Sequence, residues 1–320
     1  MSALVCRARS SRVACLARRA VLSLAVWGGL CSVAPAQGLQ APQPAYFLTF
    51  PAFYSGDYVA TGANQLGLLG GAIKNPAAGG FWIDAICYET MRGECNYHMG
   101  NHAVAYQCYD NALRLLLRFN NWMLSVQFPP VVTPAPPQQL TPIPWYITQR
   151  KTVIGAYPPT MNIMQGNINQ AQAVMQGGVV QQAVLVPIYA QEIVRCSCLA
   201  IRRWRELLGP ASPHSETTRQ LVSVLSGRPA LPNHWSEAWI DVQLGLAYAA
   251  AGKDAQARKI LERAELAAGA FDHPFTGTVH LELGRLDFVA GNFQAAQTHF
   301  LEASWAAANY KDFGVVEEAL

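Results

Sequence analysis

The most constraining feature of this sequence is a spacing of small residues that recurs toward its C-terminus. Gly245 is followed by a glycine after seven residues, by alanines after twelve and nineteen, and by a bulky residue after sixteen. The pattern starts again at Gly284, 39 residues later, and also occurs upstream at Gly93. Five positions in one register, found three times, indicate an internal repeat. The copies are Gly93, Gly100, Ala105, Tyr109 and Ala112; Gly245, Gly252, Ala257, Leu261 and Ala264; and Gly284, Gly291, Ala296, Phe300 and Ala303.

This spacing predicts a helix–turn–helix unit. The first glycine and the small alanine of the second helix let two helix backbones approach closely, and the second glycine relaxes the turn between them. The bulky residue is expected to fill the gap to the neighbouring unit. Because one such unit cannot bury its own apolar face, it must stack on others. The predicted fold class is therefore all-α, built from repeated helical hairpins.

These residues resemble the tetratricopeptide repeat. The resemblance covers about 85 residues at the C-terminus and about 35 residues around Gly93. Two features depart from the family pattern. The repeat length is 39 residues rather than about 34, and the tryptophan expected four residues before the first glycine is replaced by Glu89, Asp241 and His280. The resemblance implies an α-solenoid with lengthened helices or turns.

In repeats of this family, ligand-facing positions come mainly from the first helix of each hairpin. The resemblance therefore implies a protein or peptide partner on the concave face. The Lys/Asn/Arg clamp that some relatives use to hold a terminal carboxylate is absent. The alternative is that several of the implied partner-binding side chains pack against a neighbouring helix. The implied partner-binding residues are Thr90, Glu94, Tyr97 and His98 in the first hairpin, Trp239, Val242 and Leu246 in the second, and Arg285 and Phe288 in the third.

Residues 1–37 have the features of an export signal. Five arginines and no acidic residue are followed by an apolar run from Ala20 to about Ala34, and Ala34-Pro35-Ala36 fits a signal-peptidase site. The run is shorter than the roughly 20 apolar residues that a membrane span needs. We expect cleavage after Ala36 and a periplasmic or extracellular protein, with an uncleaved N-terminal anchor as the alternative.

The charge of the chain argues against nucleic-acid binding. The full sequence carries a formal charge of +3, but without the leader 18 Lys and Arg stand against 20 Asp and Glu. A slightly acidic chain lacks the basic surface that binds phosphate backbones. Charged residues are also scarce, at 13% of the sequence, and between Phe119 and Gln191 only Arg150 and Lys151 are charged.

Five regions follow from these patterns: a signal peptide (1–37), a helical region (38–128) with one repeat unit at about 86–119, a proline-rich linker (129–151), a second helical region (152–233), and the C-terminal repeats (234–320). Seven prolines in 129–144 predict an extended linker or long surface loop. The apolar spacing from Met161 to Met175 predicts a helix, as do the segments from Pro187 to Gly209 and from Ser215 to Ser226.

Motifs of enzyme chemistry are missing from the sequence. It contains no phosphate-binding glycine loop, HExxH, nucleophile elbow or CxxCH. Cys95, His98, His102 and Cys108 have the spacing of metal ligands, but a Cys95–Cys108 disulfide or ordinary core cysteines are the stronger alternatives. We therefore expect neither a metal nor a cofactor.

The sequence predicts a non-enzymatic, exported scaffold that mediates protein–protein contacts in a bacterial envelope. One alternative is the docking part of a longer envelope enzyme, because Tyr310–Leu320 begins another amphipathic helix and the chain could be a fragment. The other is a membrane-anchored assembly factor that keeps its leader. Contact with a membrane is expected only through that leader.

Overall fold

The computed structural model describes residues 40–75, 80–165 and 184–320, and the predicted leader lies outside these ranges. The described residues from Gln40 onward belong to one compact unit. Its structure is mostly helical, as the repeat predicts. The helices are α1 (Pro44–Phe47), α2 (Phe50–Tyr54), α3 (Tyr58–Leu69), α4 (Ala85–His98), α5 (His102–Arg118), α6 (Ala190–Leu208), α7 (Glu216–Ser226), α8 (Glu237–Ala250), α9 (Asp254–Ala264), α10 (Thr276–Val289), α11 (Phe293–Asn309) and α12 (Phe313–Ala319).

Short strands complete the fold. The strands are β1 (Lys74–Asn75), β2 (Gly80–Phe81), β3 (Val126–Gln127), β4 (Thr133–Pro134), β5 (Val153–Ala156), β6 (Met161–Gln165), β7 (Val184–Ile188) and β8 (Phe271–Asp272). Antiparallel β3, β6 and β7 form one sheet, β1 pairs with β2, and β5 lies between antiparallel β4 and parallel β8.

Three helical hairpins, α4–α5, α8–α9 and α10–α11, occur where the glycine spacing predicts them. The first glycine of each hairpin permits close contact. A Cβ at Gly93 would lie 2.5 Å from the ring of Tyr109, and a Cβ at Gly284 would lie 2.6 Å from the ring of Phe300. The bulky residue therefore packs onto the glycine of its own hairpin, whereas we expected it to fill the gap between units.

The second glycine of each hairpin lies in the turn and adopts a left-handed backbone conformation. The φ angles are +76° at Gly100, +66° at Gly252 and +79° at Gly291. Residues with a Cβ are strained at such angles, which accounts for glycine at this position in all three copies.

Helices α6 and α7 lie between the first hairpin and the other two. Helix α6 packs against α4, α5 and α8, and α7 packs against α8. The chain then continues through α8–α9 and α10–α11, and α12 closes against α11 and α10. The helix predicted from Ser215 is confirmed as α7, and the helix predicted to end at Gly209 is confirmed as α6. The predicted start of α6 at Pro187 is wrong, because Pro187 lies in strand β7 and the helix begins at Ala190. Helix α6 ends where Gly209 has a φ of +50° and Pro210 follows.

The helix predicted from Met161 is wrong over Met161–Gln165, which forms strand β6. Met161 and Ile163 are both buried, so the inward-facing residues alternate with a period of two. The strand pairs with β7, and Met161 lies opposite Ile188. A partner this distant in sequence cannot be read from local periodicity. The remainder of the predicted helix lies largely outside the described residues.

The proline-rich stretch is an attached surface loop, one of the two forms expected for it. Pro129 O accepts a hydrogen bond of 2.7 Å from Trp235 Nε1, and Val132 is buried. Thr133 and Pro134 form β4 and pair with β5. The stretch therefore packs on the helices and does not separate two compact units. Within the described ranges, no helix is both long and apolar enough to cross a membrane.

The glycine contact predicts a specific loss of stability. Changing Gly93 to Ala should lower the free energy of unfolding by about 1–3 kcal/mol, because the Cβ must displace Tyr109. The Tyr109 hydroxyl is bound to buried Glu94, which restrains the ring. The change is measured by urea unfolding followed by circular dichroism.

The matched control is Gly67→Ala in α3, where no atom lies within 4 Å of the added Cβ. This variant should be stabilised by roughly 0.5–1 kcal/mol, because alanine loses less backbone entropy in a helix. Equal effects at the two positions would contradict the role of close helix approach at Gly93.

Candidate functional site

An aromatic cleft of about 800 Å³ opens between the first two helices, the start of α6 and the loop before α12. Edge-on ring contacts hold its walls. Phe47 and Tyr189 have ring centroids 4.6 Å apart, and those of Tyr54 and Phe313 are 5.7 Å apart. About half the surface of Tyr54 and of Phe313 is exposed, at 49% and 52%. Two large aromatic side chains are therefore available to a ligand at this cleft.

The local sequence accounts for the N-terminal wall. The aromatic residues of α1 and α2 recur at spacings of three and four, which places them on one side of a helical path. Proline stands near the start of each of these helices, where its fixed φ is favourable. Our sequence interpretation did not use this signal. The aromatic residues are Tyr46, Phe47, Phe50, Phe53 and Tyr54.

A buried ion pair forms the floor of the cleft. Arg195 donates from Nε and Nη2 to Glu192 at 2.7 and 2.6 Å. Tyr46 donates its hydroxyl proton to the same carboxylate, and Cys196 Sγ lies 3.4 Å from it. Burial raises the pKa of Tyr46, and the nearby Cys196 and Glu192 raise it further. The tyrosine therefore remains a neutral hydrogen-bond donor, and the charge of Glu192 is balanced.

A smaller cavity of about 150 Å³ adjoins the cleft, and Tyr54, Arg195 and Asp312 line both. Arg202 also lines this cavity and is 4% exposed, yet its Nε has no acceptor among the described residues. Burial raises the pKa of Asp312, although the charges of Arg195 and Arg202 oppose that rise. The cavity thus offers an unused donor and a carboxyl group that is protonated more readily than usual.

Charged residues of four helices meet beside this cavity. Glu318 of α12 accepts hydrogen bonds from Arg203 at 3.2 Å and from Arg285 at 2.6 Å, and also from Arg202. Burial raises the pKa of Glu318, but the three arginine charges lower it more, so that its pKa falls below the usual value. The carboxylate therefore remains ionised and ties α12 to α6 and α10.

Arg203 connects this group to the first hairpin. It bonds Glu94 of α4 at 3.0 and 3.2 Å and Glu206 at 2.7 Å, and its guanidinium lies 4.3 Å from the ring centroid of Tyr97. Arg203 and Glu94 are 8% and 4% exposed. Buried charges are tolerated when each has a partner and good hydrogen bonds, which is the case here.

Four of the nine partner-binding residues implied by the sequence lie around these charged groups. Glu94, Tyr97 and Arg285 contact the arginine and glutamate network just described, and His98 lines the small cavity. The ring of His98 stacks on Tyr58 with a centroid distance of 4.8 Å. The fold therefore brings these four residues close to one another, around the small cavity and its charged groups.

The other five residues are not brought to this site. Thr90, Trp239, Val242 and Leu246 are at most 2% exposed and belong to the protein's own interior. Helix α6 packs against α4 and α8, and Thr90 donates to the carbonyl oxygen of Cys196 in α6. Trp239 is covered instead by the rings of Phe128, Tyr157 and Phe275. Phe288 is 58% exposed at the α10–α11 turn, where it contacts Phe293, and it lines neither cavity.

The cysteine and histidine residues with metal-ligand spacing do not form a metal site. No group of three or more metal-binding side chains occurs in the part of the chain that the structure describes. All five cysteines there are buried free thiols, so Cys95 and Cys108 are not bridged. Burial raises the pKa of Cys95 to about 12 and that of Cys108 to about 11. Both are therefore protonated at neutral pH and poor metal ligands.

Comparisons with known proteins leave the geometry as the basis for assigning a role. No family model, curated protein or solved structure matches this chain. The arrangement combines exposed aromatic rings with charged groups that are paired internally. Such a surface can bind apolar and aromatic side chains, while the ion pairs fix the shape of its walls.

The ion pair between Arg203 and Glu94 predicts a large coupling. Changing Arg203 to Met should lower the free energy of unfolding by about 3–5 kcal/mol, because Glu94 stays buried without its main cationic partner. In the double variant with Glu94→Gln, part of this loss should be recovered. A double-mutant cycle by urea unfolding measures the coupling. Additive losses would show that the two charges do not support each other.

Proposed function

We propose that this chain is an exported helical-repeat scaffold, similar to tetratricopeptide-repeat proteins, that binds a protein partner in the bacterial cell envelope. The observation that carries this proposal is the aromatic cleft between α1, α2, α6 and α12. Tyr54 and Phe313 are large, half exposed and held in place by contact with each other. Rings of this kind contribute strongly to protein interfaces, because they bury a large area and lose little conformational entropy.

The chemistry of the cleft supports binding rather than catalysis. Its acidic floor residue Glu192 is already paired with Arg195 and Tyr46. Burial also raises the pKa of Cys198, which lines the adjoining cavity, so that this thiol is protonated and a weak nucleophile. The proposal therefore assigns no catalytic residue and no cofactor.

The repeat supports the scaffold part of the proposal. Three hairpins with the same glycine spacing hold rigid helices in fixed relative positions. A rigid framework reduces the entropy lost when a partner binds, because the binding residues are already in place. Tyr54 lies beside this framework and not within a repeat, so the partner surface we propose differs from the concave face implied by the family.

Export rests on the leader, which lies outside the described residues. If the signal is cleaved after Ala36, the mature chain begins at Gln37. Intact-mass measurement of the protein purified from envelope fractions should give that N-terminus. A mass that includes Met1 would contradict cleaved export and would favour an N-terminal anchor.

The partner surface is tested by quantitative capture from an envelope extract with the mature chain as bait. Changing both Tyr54 and Phe313 to Ser should reduce recovery of the specific partner at least tenfold, which corresponds to about 1.4 kcal/mol of binding free energy. The loss is expected because two exposed rings no longer contribute apolar contact area.

The matched control changes Phe288 and Phe293 to Ser. Both residues are exposed aromatics, at 58% and 64%, but they lie at the α10–α11 turn. Recovery should match that of the unchanged chain. Loss of the partner only in this control would move the binding surface to the turn, and equal recovery in both variants would refute the cleft. Circular dichroism must first show that both variants are folded.

A further inference from the structure

One stretch of the chain, residues 145–152, lies across a surface formed by β8 and α11. These residues have no regular secondary structure, bend at Arg150 and lead into strand β5, which pairs with β8. Exposed residues alternate with partly buried ones along the stretch. Tyr146, Thr148, Arg150 and Thr152 bond to the surface. Ile147 is 82% exposed, and Lys151 is also exposed.

Two buried carboxylates form the centre of this surface. Asp272 of β8 and Glu302 of α11 are 0% and 3% exposed. Arg150 donates to Asp272 from both terminal nitrogens at 2.7 and 2.8 Å and to Glu302 from Nε at 2.8 Å. Burial raises the pKa of Glu302, but the hydrogen bonds from Arg150, Thr148, Tyr146 and the backbone of Gln149 together outweigh burial, so that its pKa falls below the usual value. Both carboxylates are paired with the same arginine.

The hydroxyl groups of the segment complete the coordination. Glu302 also accepts from Tyr146 and Thr148, each at 2.7 Å, and Asp272 accepts from Thr152 at 2.7 Å. Among the described residues, every side-chain hydrogen bond to these two carboxylates comes from residues 146–152. The helical framework thus presents two buried acids that it does not satisfy itself.

Contacts on either side extend the surface along the segment. Trp145 Nε1 donates to Ser304 Oγ at 3.1 Å, and Gly155 N donates to the Tyr310 hydroxyl at 3.0 Å. Arg150 also lies 5.9 Å from the ring centroid of Trp305. Alternate side chains, a bidentate arginine and backbone pairing at one end are the features by which proteins recognise extended peptides.

We propose that the surface formed by β8 and α11, hereafter the arginine groove, is a recognition site for an extended peptide that carries an arginine flanked at alternate positions by hydroxyl side chains. Residues 146–152 occupy it as a tethered ligand. A partner segment of the same chemistry displaces them. Charge complementarity selects this occupant, because two buried carboxylates require a cation with several donors and arginine provides both.

The tether sets the conditions for displacement. A covalently linked segment has an effective concentration in the millimolar range, so that a free peptide competes poorly until the tethered segment is weakened. The arginine groove is a different surface from the aromatic cleft, and failure of one binding site in its test would not affect the other.

The test uses a fluorescent peptide with the sequence of residues 144–154 and the full mature chain with Arg150→Gln. Fluorescence anisotropy should show binding to this variant at least tenfold tighter than to the unchanged chain, because the tethered segment has lost its ion pairs. A peptide with Gln in place of Arg150 should bind the variant at least tenfold more weakly. A peptide with Gln in place of Lys151, which faces away from the groove, should bind like the original.

A further variant of the protein tests where on the surface the peptide binds. Adding Glu302→Gln to the Arg150→Gln chain should weaken the preference for the arginine peptide, because one of the two carboxylates that bind the guanidinium is removed. If Arg150→Gln does not fold, Thr148→Val with Thr152→Val provides a released chain, since it loses two donors and retains the ion pairs. The same order of peptide affinities is expected there. Absence of binding to a folded released chain, or equal binding of the arginine and glutamine peptides, would overturn the proposal.

Discussion

Close packing of paired helices at glycine is the constraint on which the rest of this structure depends. At Gly93, Gly245 and Gly284 the absence of a Cβ lets the second helix of the hairpin place a large side chain directly against the first. The left-handed glycine in each turn permits the sharp reversal that brings the helices together. Each hairpin is thereby a rigid unit with an apolar outer face, and neighbouring elements must cover that face.

Helix α6 covers much of that face, and its arginines explain the position of the C-terminal helix. The side chains of Arg202 and Arg203 are buried, so that their charges need acidic partners, which come from α4 and α12. Glu318 and Glu94 supply them. Ion pairs of this kind give limited net stability but strongly disfavour arrangements that separate the partners. The start of α12, with Phe313 as its first residue, is thus held beside α2, and the aromatic cleft results.

Local patterns predicted the hairpins and the helices that end at Gly209 and Ser226, because glycine spacing and caps act within a few residues. They did not predict β6, since Met161 and Ile163 gain their strand partners from residues more than twenty positions away. The partner-binding residues implied by the resemblance lie in different surroundings for the same reason, because contacts distant in sequence decide which of them are covered. Glu94 meets the arginines of α6, whereas Trp239 is buried beneath other elements.

The sequence by itself determined the repeated unit, its turn geometry and the scarcity of charge in the middle of the chain. Only the tertiary structure decided where the few charges go. Arg150, one of two charged residues in a stretch of more than seventy, meets Asp272 and Glu302 across 122 and 152 positions of sequence. The physical reason is that a buried charge is tolerated only beside its partner, and folding rather than sequence order brings the two together.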